Sequence, residues 1–322
     1  MRLMASRHRQ RGAALLLAML ILTLVATMAS GMVWQQWRAI QVEGAERART
    51  QSAWILSGAL DWARLILRED ARTGGADHLG EPWAVPLAEA RLSTFLAADR
   101  NNNTAAGETD EIEAFLSGSI ADAQARWNLR RLIDASGKVA PAQLRVLQRL
   151  CEQAGLPSES ADRIALALRK AWASGTAVED AAIAPQRLAE LAWLGIDTDT
   201  LRRLEPWVTL LPGVDTRVNV NTAAAEVIAA AVDGMTLGSA QRLLQERQRT
   251  PIRDPSAQPS RAFFPADPST NLDGVGGTSR YFIVQGRLRL GDRVLEERSL
   301  VERRQLDMVV LARERINLRD GN

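Results

Sequence analysis

The sequence is poor in residues that form covalent cross-links and catalytic centres. It has one cysteine, Cys151, so no disulfide can form within the chain, and its apolar helical surroundings predict a buried small side chain. Of the two histidines, His8 lies in a basic leader and only His78 lies beyond it. The sequence contains no Gly-x-Ser-x-Gly, His-Glu-x-x-His or P-loop pattern. We therefore predict that the protein is not an enzyme.

Lysine is also nearly missing, because only Lys138 and Lys170 occur among 40 basic residues. The arginines are interspersed with 38 acidic residues. The first twelve residues contribute +4 to a formal net charge of +2, so the remainder carries −2. Mixed charge of this kind is typical of a solvated surface rather than of a phosphate-binding stripe. The composition therefore predicts no nucleic-acid partner, despite a pI near 9.1.

A long apolar run is present instead. It follows the basic leader at Gly12 and extends from Ala13 to Val33 without a charged residue. Its 21 residues would form about 32 Å of helix, enough to cross a bilayer. The leader arginines predict a cytoplasmic N-terminus and an outside location for the rest. A cleaved secretory signal, an uncleaved anchor, or a leader cut between Gly12 and Ala13 by a dedicated peptidase would each explain this junction.

The helical pattern continues beyond the run, which favours the third explanation. Ala13 to Arg68 could form one helix of 56 residues, because no proline occurs before Pro82. Its apolar face is predicted to include Trp37, Ile40, Gly44, Ala48, Ser52, Ile55, Ala59, Trp62 and Ile66. An anchor alone needs no such length, and a cleaved signal peptide would not be continuous with the domain.

The remaining sequence predicts an α+β fold. Short helices are expected at 141–154, 158–174, 185–195, 198–211, 222–231 and 239–248. Strand structure is expected around Phe115 and Ile120, and strands at 281–290, 293–303 and 306–311 form an antiparallel meander. We predict a leader at 1–12, a membrane-spanning part at 13–33, an amphipathic helix with the first part of an α/β domain at 34–128, an inserted all-α domain at 129–250, a flexible connection at 251–280 and C-terminal strands at 281–322.

Four stretches in this order resemble the type II secretion system minor pseudopilin K (general secretion pathway protein K) family. They are Gln10–Leu17, Trp83 with Ser117–Leu129, Leu211–Ala223 and Ser279–Val284. The resemblance implies a pilin-like long N-terminal helix packed on a small antiparallel sheet, with the helical domain inserted. It also implies a single-pass protein of the inner membrane, with its bulk in the periplasm.

The resemblance assigns roles to three N-terminal residues. Gly12 and Ala13 would form the prepilin peptidase site, and Ala13 would become the methylated N-terminus. Leu17 is then the fifth mature residue, where other pseudopilins carry a glutamate that can pair with a neighbouring N-terminal amine. A subunit without this glutamate suits the tip of the pseudopilus, where it would initiate assembly with minor pseudopilin subunits I, J and H for export of folded proteins.

The family also binds calcium in its inserted domain, and here the sequence departs from the pattern. Arg169 and Lys170 stand where aspartates are expected, so Glu179 and Asp180 are the remaining candidate ligands. Two carboxylates alone make a poor calcium site. A second polar loop has near-calcium spacing at Asp99, Asn101, Asn103 and Asp110, but Thr104 replaces the required glycine.

The main alternative is a membrane-anchored DNA-binding protein. Val218–Ala223, followed by Ala240 and Arg247, resembles half of a helix-hairpin-helix module of the competence-protein type. Such hairpins offer backbone N–H groups to phosphate. Here the hairpin, 232–238, carries an acid and no basic residue, which favours a packing role.

Overall fold

The computed structural model describes residues 9–92, 114–172, 183–291 and 293–318. The chain divides into two compact units, Met1–Ile55 and Leu56–Asn322. Helix α1 (Arg9–Thr73) forms the described part of the first unit and contributes its last turns to the second. It continues past the predicted end at Arg68 and stops before Gly74 and Gly75, whose φ angles of 63° and 139° favour glycine.

The second unit contains a five-stranded antiparallel sheet. Its order is β1 (Leu87–Arg91), β2 (Ala114–Asp122), β7 (Tyr281–Leu290), β8 (Arg293–Arg304) and β9 (Asp307–Leu318). The predicted strand around Phe115 and Ile120 is β2, and the meander is confirmed. The last strand was predicted to end at Leu311 but continues to Leu318. Its charged second half satisfies backbone groups along β8, a requirement that apolar patterning does not reveal.

Helix α1 packs on this sheet within the second unit. Leu60, Ala63 and Leu67 form a buried cluster with Phe282 and Val301. The predicted apolar face, through Ile55, Ala59, Trp62 and Ile66, is displaced by about one residue from the buried face, and Trp62 is 42 % exposed. Leu60 and Leu67 pack against the sheet in preference to Trp62, because an aliphatic side chain fills the space there without an N–H group that needs a hydrogen-bond partner.

The helical block, residues 129–250, contains five α-helices in its described part. These are α2 (Pro141–Gln153), α3 (Glu159–Ala171), α4 (Thr198–Leu204), α5 (Ala225–Ala231) and α6 (Leu237–Arg249). Two predicted helices are wrong in part. The segment 185–195 forms a short 3-10 helix, Leu188–Leu194, and the segment 198–211 leaves the helix after Leu204.

The early end of α4 has a structural cause. Val208–Thr209 form the short strand β4, which pairs in parallel with β3 (Trp127–Asn128). A second parallel pair joins β5 (Val218–Asn219) to β6 (Val275–Gly276). The predicted all-α block is thus mainly helical, with two-residue strand pairs that connect it to residues on either side.

Residues 251–280 are packed, contrary to the predicted flexible connection. Ile252, Phe264, Leu272 and Val275 are buried in the same core as the helices. The prolines and glycines of this segment lie in turns around buried side chains, so their abundance does not indicate flexibility.

Candidate functional site

The predicted processing and assembly residues lie in α1. Ala13 is exposed, and Leu17 is 61 % exposed. The apolar side chains from Leu15 to Val33 are likewise exposed, and the helix is long and apolar enough to cross a membrane. An apolar surface of this length is stable only in an apolar environment, as a bilayer provides. The structure thus places Gly12, Ala13 and Leu17 on one continuous helix but does not test their roles.

The predicted calcium residues, Glu179 and Asp180, lie outside the described residues. The second polar loop, with Asp99 and Asp110, also lies outside them. Calcium binding therefore stays a prediction.

A buried polar joint connects the sheet to the helical block. Asp122, at the end of β2, is 6 % exposed. Its Oδ1 accepts a hydrogen bond from the Gln124 backbone N–H at 2.7 Å. Its Oδ2 accepts from Asn219 Nδ2 at 2.9 Å, Thr222 Oγ1 at 2.5 Å and Ser279 Oγ at 2.6 Å. One carboxylate thus connects β2 to Asn219 at the end of β5, to Thr222 between β5 and α5, and to Ser279 just before β7.

The joint is electrostatically unusual because its four donors are neutral. Burial raises the pKa of Asp122, and the hydrogen bonds from Ser279, Thr222, Gln124 and Asn219 oppose this rise. The charged form of this carboxylate is opposed only by burial and stabilised only by neutral donors, and burial has the larger effect. Sequence reasoning did not assign Asp122 a role, although it lies in one of the stretches that resemble the family.

Asparagine side chains extend the joint into the helical core. Asn219 Nδ2 also donates to the Asp77 carbonyl at 2.9 Å. Asn221 accepts from the Ile252 N–H and donates to the Ile252 carbonyl, both at 2.8 Å. The Asn-Val-Asn-Thr sequence therefore satisfies buried backbone groups of distant segments, which explains why amides are needed there.

An acidic cluster lies beside the joint, in a cavity of about 490 Å³. It consists of Asp70, Asp77 and Glu81, whose oxygens lie within 4.8 Å of one another. Arg303 donates to Asp77 at 2.7 Å and to Asp70 at 2.6 Å. Burial and the neighbouring Glu81 raise the pKa of Asp70. Because two of the three carboxylates already bind Arg303, the cluster ties the end of α1 to β8 and makes a poor calcium site.

The hairpin of the DNA-binding alternative serves packing. Gly234 has φ 76°, and Val232 and Met235 are buried in the helical core. Asp233 accepts a hydrogen bond from Arg149 at 2.7 Å. Arg247 donates to the carbonyls of Val220 and Ala223, both at 2.6 Å, instead of facing outward. This geometry supports the packing interpretation that the sequence favoured.

Comparisons with known proteins agree with this architecture. Two family models, both described as type II secretion system (T2SS), protein K, match residues 125–213 and 218–267. Type II secretion system protein K of Pectobacterium carotovorum subsp. carotovorum is 28 % identical over 92 % of this chain and 93 % of its own length. The protein of the same name from Pseudomonas aeruginosa is 28 % identical over 89 % of this chain and 87 % of its own.

The chain belongs to the type II secretion system protein K family. The protein K models cover most of the helical block, and the relatives extend the match over nearly the whole chain. A solved structure, "The Crystal Structure of the GspK-GspI-GspJ complex from enterotoxigenic Escherichia coli Type 2 Secretion System", contains a chain of the same fold. Its TM-score is 0.62 at 18 % identity, over 85 % of this chain and 99 % of that chain. The predicted α+β fold is thereby confirmed.

Proposed function

We propose that the chain is a minor pseudopilin at the tip of a type II secretion pseudopilus. There it initiates assembly with minor pseudopilin subunits I, J and H, for export of folded proteins across the outer membrane. The observation that carries this proposal is the match to a protein K relative over 92 % of this chain, together with the helix Arg9–Thr73, which includes the leader junction and whose last turns pack on the sheet. The chain of similar fold comes from a solved complex of GspK with GspI and GspJ, which supports the choice of partners.

Two features favour the tip position. Leu17 is uncharged, so it cannot pair with the N-terminal amine of a subunit already in place above it. An unpaired charge in lipid is costly, which disfavours placing such a subunit below another. The helical block adds a large body beyond the sheet, which would obstruct a copy stacked above.

The proposed location is the inner membrane, with a single span and a cytoplasmic N-terminus. The apolar helix supports membrane anchoring, and the leader arginines support the orientation. The bulk of the chain would then lie in the periplasm. The proposed role is structural, and we assign the chain no catalytic step.

Processing at Gly12–Ala13 tests whether the chain is a pseudopilin. The full-length precursor should be expressed with and without a prepilin peptidase, and its N-terminus sequenced. We expect an N-terminus at Ala13 only when the peptidase is present. A Gly12→Leu variant should remain unprocessed, whereas Ala14→Leu serves as a matched control at a neighbouring small residue. Cleavage near Ser30 without the peptidase would instead indicate an ordinary secretory signal.

Partner binding and filament labelling test the tip position. The processed chain, with a C-terminal tag, should be co-expressed with subunits I and J and purified through the tag. We expect both partners to co-purify. In cells that overproduce the pseudopilus, gold label against the tag should lie at one filament end. A chain that stays monomeric beside its partners, or label distributed along the filament, would contradict the proposal.

A further inference from the structure

The first residues beyond the apolar run form an amphipathic aromatic pair. Trp34 and Trp37 are 59 % and 60 % exposed. They are three residues apart on α1 and therefore lie on adjacent positions of one helix face. The Arg38 guanidinium lies 5.7 Å from the centre of the Trp34 ring. Two exposed indoles beside a guanidinium combine an apolar body with polar groups that favour water.

Such side chains suit the boundary between hydrocarbon and headgroups. Indole rings are enriched there because the ring is apolar and its N–H is polar. The pair is continuous with the exposed, uncharged run from Ala13 to Val33, which is long and apolar enough to cross a membrane. We propose that Trp34, Trp37 and Arg38 bind the outer interface of the bilayer and set the depth of α1 in the membrane.

The distance along α1 between the tryptophan pair and Ala13 links the membrane depth of the helix to its processing. Ala13 and Trp34 are separated by 21 residues, or about 32 Å of helix. The hydrocarbon core is about 30 Å thick. When the indoles occupy the outer interface, the Gly12–Ala13 bond is held at the inner interface. The tryptophan pair therefore positions this bond at the depth where a membrane-embedded peptidase can cut it, an inference that rests on the proposed function.

The third tryptophan of the first unit supplies a matched control. Trp54 is 74 % exposed and lies 17 residues beyond Trp37 on α1, about 25 Å further along the helix. That distance places it outside the headgroup region. Trp54 thus shares the residue type and exposure of the pair but not its position, so its substitution should not change the depth of the helix.

Thiol labelling measures the depth directly. Single cysteines at Thr27, Ser30, Gln41 and Gln51 of the full chain can be labelled in spheroplasts, without other pseudopilins, using a membrane-impermeant maleimide. The native Cys151 should stay unlabelled, because it is buried and burial raises its thiol pKa to about 11. We expect label at Gln41→Cys and Gln51→Cys, and protection at Thr27→Cys and Ser30→Cys.

Variants of the pair then test the anchor. In a Trp34→Ala/Trp37→Ala background, labelling at Ser30→Cys or Gln41→Cys should change by roughly twofold or more, since the boundary is no longer held. Trp34→Tyr/Trp37→Tyr should retain the native boundary, and so should Trp54→Ala. An unchanged boundary in the alanine variant overturns the proposal. So does a native boundary that appears only when partner pseudopilins are present, because protein rather than lipid would then bind the indoles.

Processing gives an independent readout. The initial rate of cleavage by prepilin peptidase in the membrane should fall roughly threefold or more in the alanine pair and remain unchanged in Trp54→Ala. If the native chain is never cut at Ala13, the proposed function fails while the labelling boundary still decides the anchor. If cleavage is normal in a variant whose labelling boundary has shifted, the pair sets the depth of the helix but does not position the Gly12–Ala13 bond for the peptidase.

Discussion

Asp122 shows how one residue can connect distant parts of this chain. Its carboxylate receives hydrogen bonds from donors that are up to 157 positions away in the sequence. The Gln124 N–H and the Ser279 hydroxyl would lose their acceptor if the side chain were truncated, and an unsatisfied buried donor costs about 1 to 3 kcal/mol. The residue therefore carries more of the joint's stability than its single position suggests.

We expect Asp122→Ala to lower the free energy of unfolding by about 3 kcal/mol or more, because it removes four hydrogen bonds and leaves the Gln124 N–H and the Ser279 hydroxyl without an acceptor. Chemical denaturation of the chain without its leader and apolar run measures this change. The control is Asp254→Ala, since Asp254 is exposed and its side chain accepts a hydrogen bond from the nearby Ser256 N–H at 2.8 Å. The control should lose about 1 kcal/mol or less. Equal losses in both variants would show that the joint adds no stability.

The pH dependence of Asp122 has a definite sign. Burial raises its pKa, so the folded state binds this proton more tightly than the unfolded state. The resulting stabilisation is complete below the ordinary carboxyl pKa and is lost as the pH rises through the raised value. In the same experiment, the stability of the native chain relative to Asp122→Asn should therefore fall as the pH rises above the ordinary carboxyl pKa of about 4. A difference that rises with pH would mean that the hydrogen bonds outweigh burial.

At the scale of elements, the close packing of residues 251–280 depends on a glycine. A Cβ atom at Gly277 would lie 1.9 Å from the Ile252 carbonyl oxygen and 2.6 Å from that of Arg253. The Gly277 carbonyl also accepts a hydrogen bond from the Asp77 N–H at 2.9 Å. The backbone of one segment thus approaches another too closely for any side chain.

Gly277→Ala should lower the free energy of unfolding by about 1 to 3 kcal/mol, because a backbone segment must move. Gly238→Ala is the matched control. Gly238 lies in the first turn of α6, and a Cβ atom there would meet nothing within 4 Å. Alanine is the better helix former, so the control should be neutral or more stable by up to about 1 kcal/mol. Thermal unfolding compares the pair, and a tolerated Gly277→Ala would contradict the observed approach.

Apolar periodicity predicted the elements well where one face of a helix is buried. It predicted them poorly where pairing between distant strands determines the structure. The helices at 141–154 and 158–174 were found near their predicted bounds, since their apolar stripes face one core. The segment 198–211 kept its apolar residues but changed structure, because Val208 and Thr209 pair with Trp127 and Asn128. A contact across some 80 residues leaves no local pattern that sequence reading can detect.

At the scale of the whole molecule, the leader, the uncharged run and the unbroken helix follow from the sequence alone. Their signals are local, since charge, apolar length and helical period need no tertiary partner to be recognised. The order of the strands in the meander is local in the same sense, because each strand follows its neighbour through a short turn. The position of Leu17, one helical turn after Ala13, is also read directly from the sequence.

The joint at Asp122, the arginine-bound acidic cluster and the packing of residues 251–280 required the folded chain. The joint and the acidic cluster depend on polar groups that are brought together from three or more distant segments and then buried. Residues 251–280 pack through apolar side chains and through the close backbone approach at Gly277. Burial makes every unmatched donor or acceptor costly, so the partners are chosen by three-dimensional proximity rather than by spacing along the chain. Sequence patterns therefore identified the kind of protein, whereas desolvation in the folded state determined which polar residues hold its parts together.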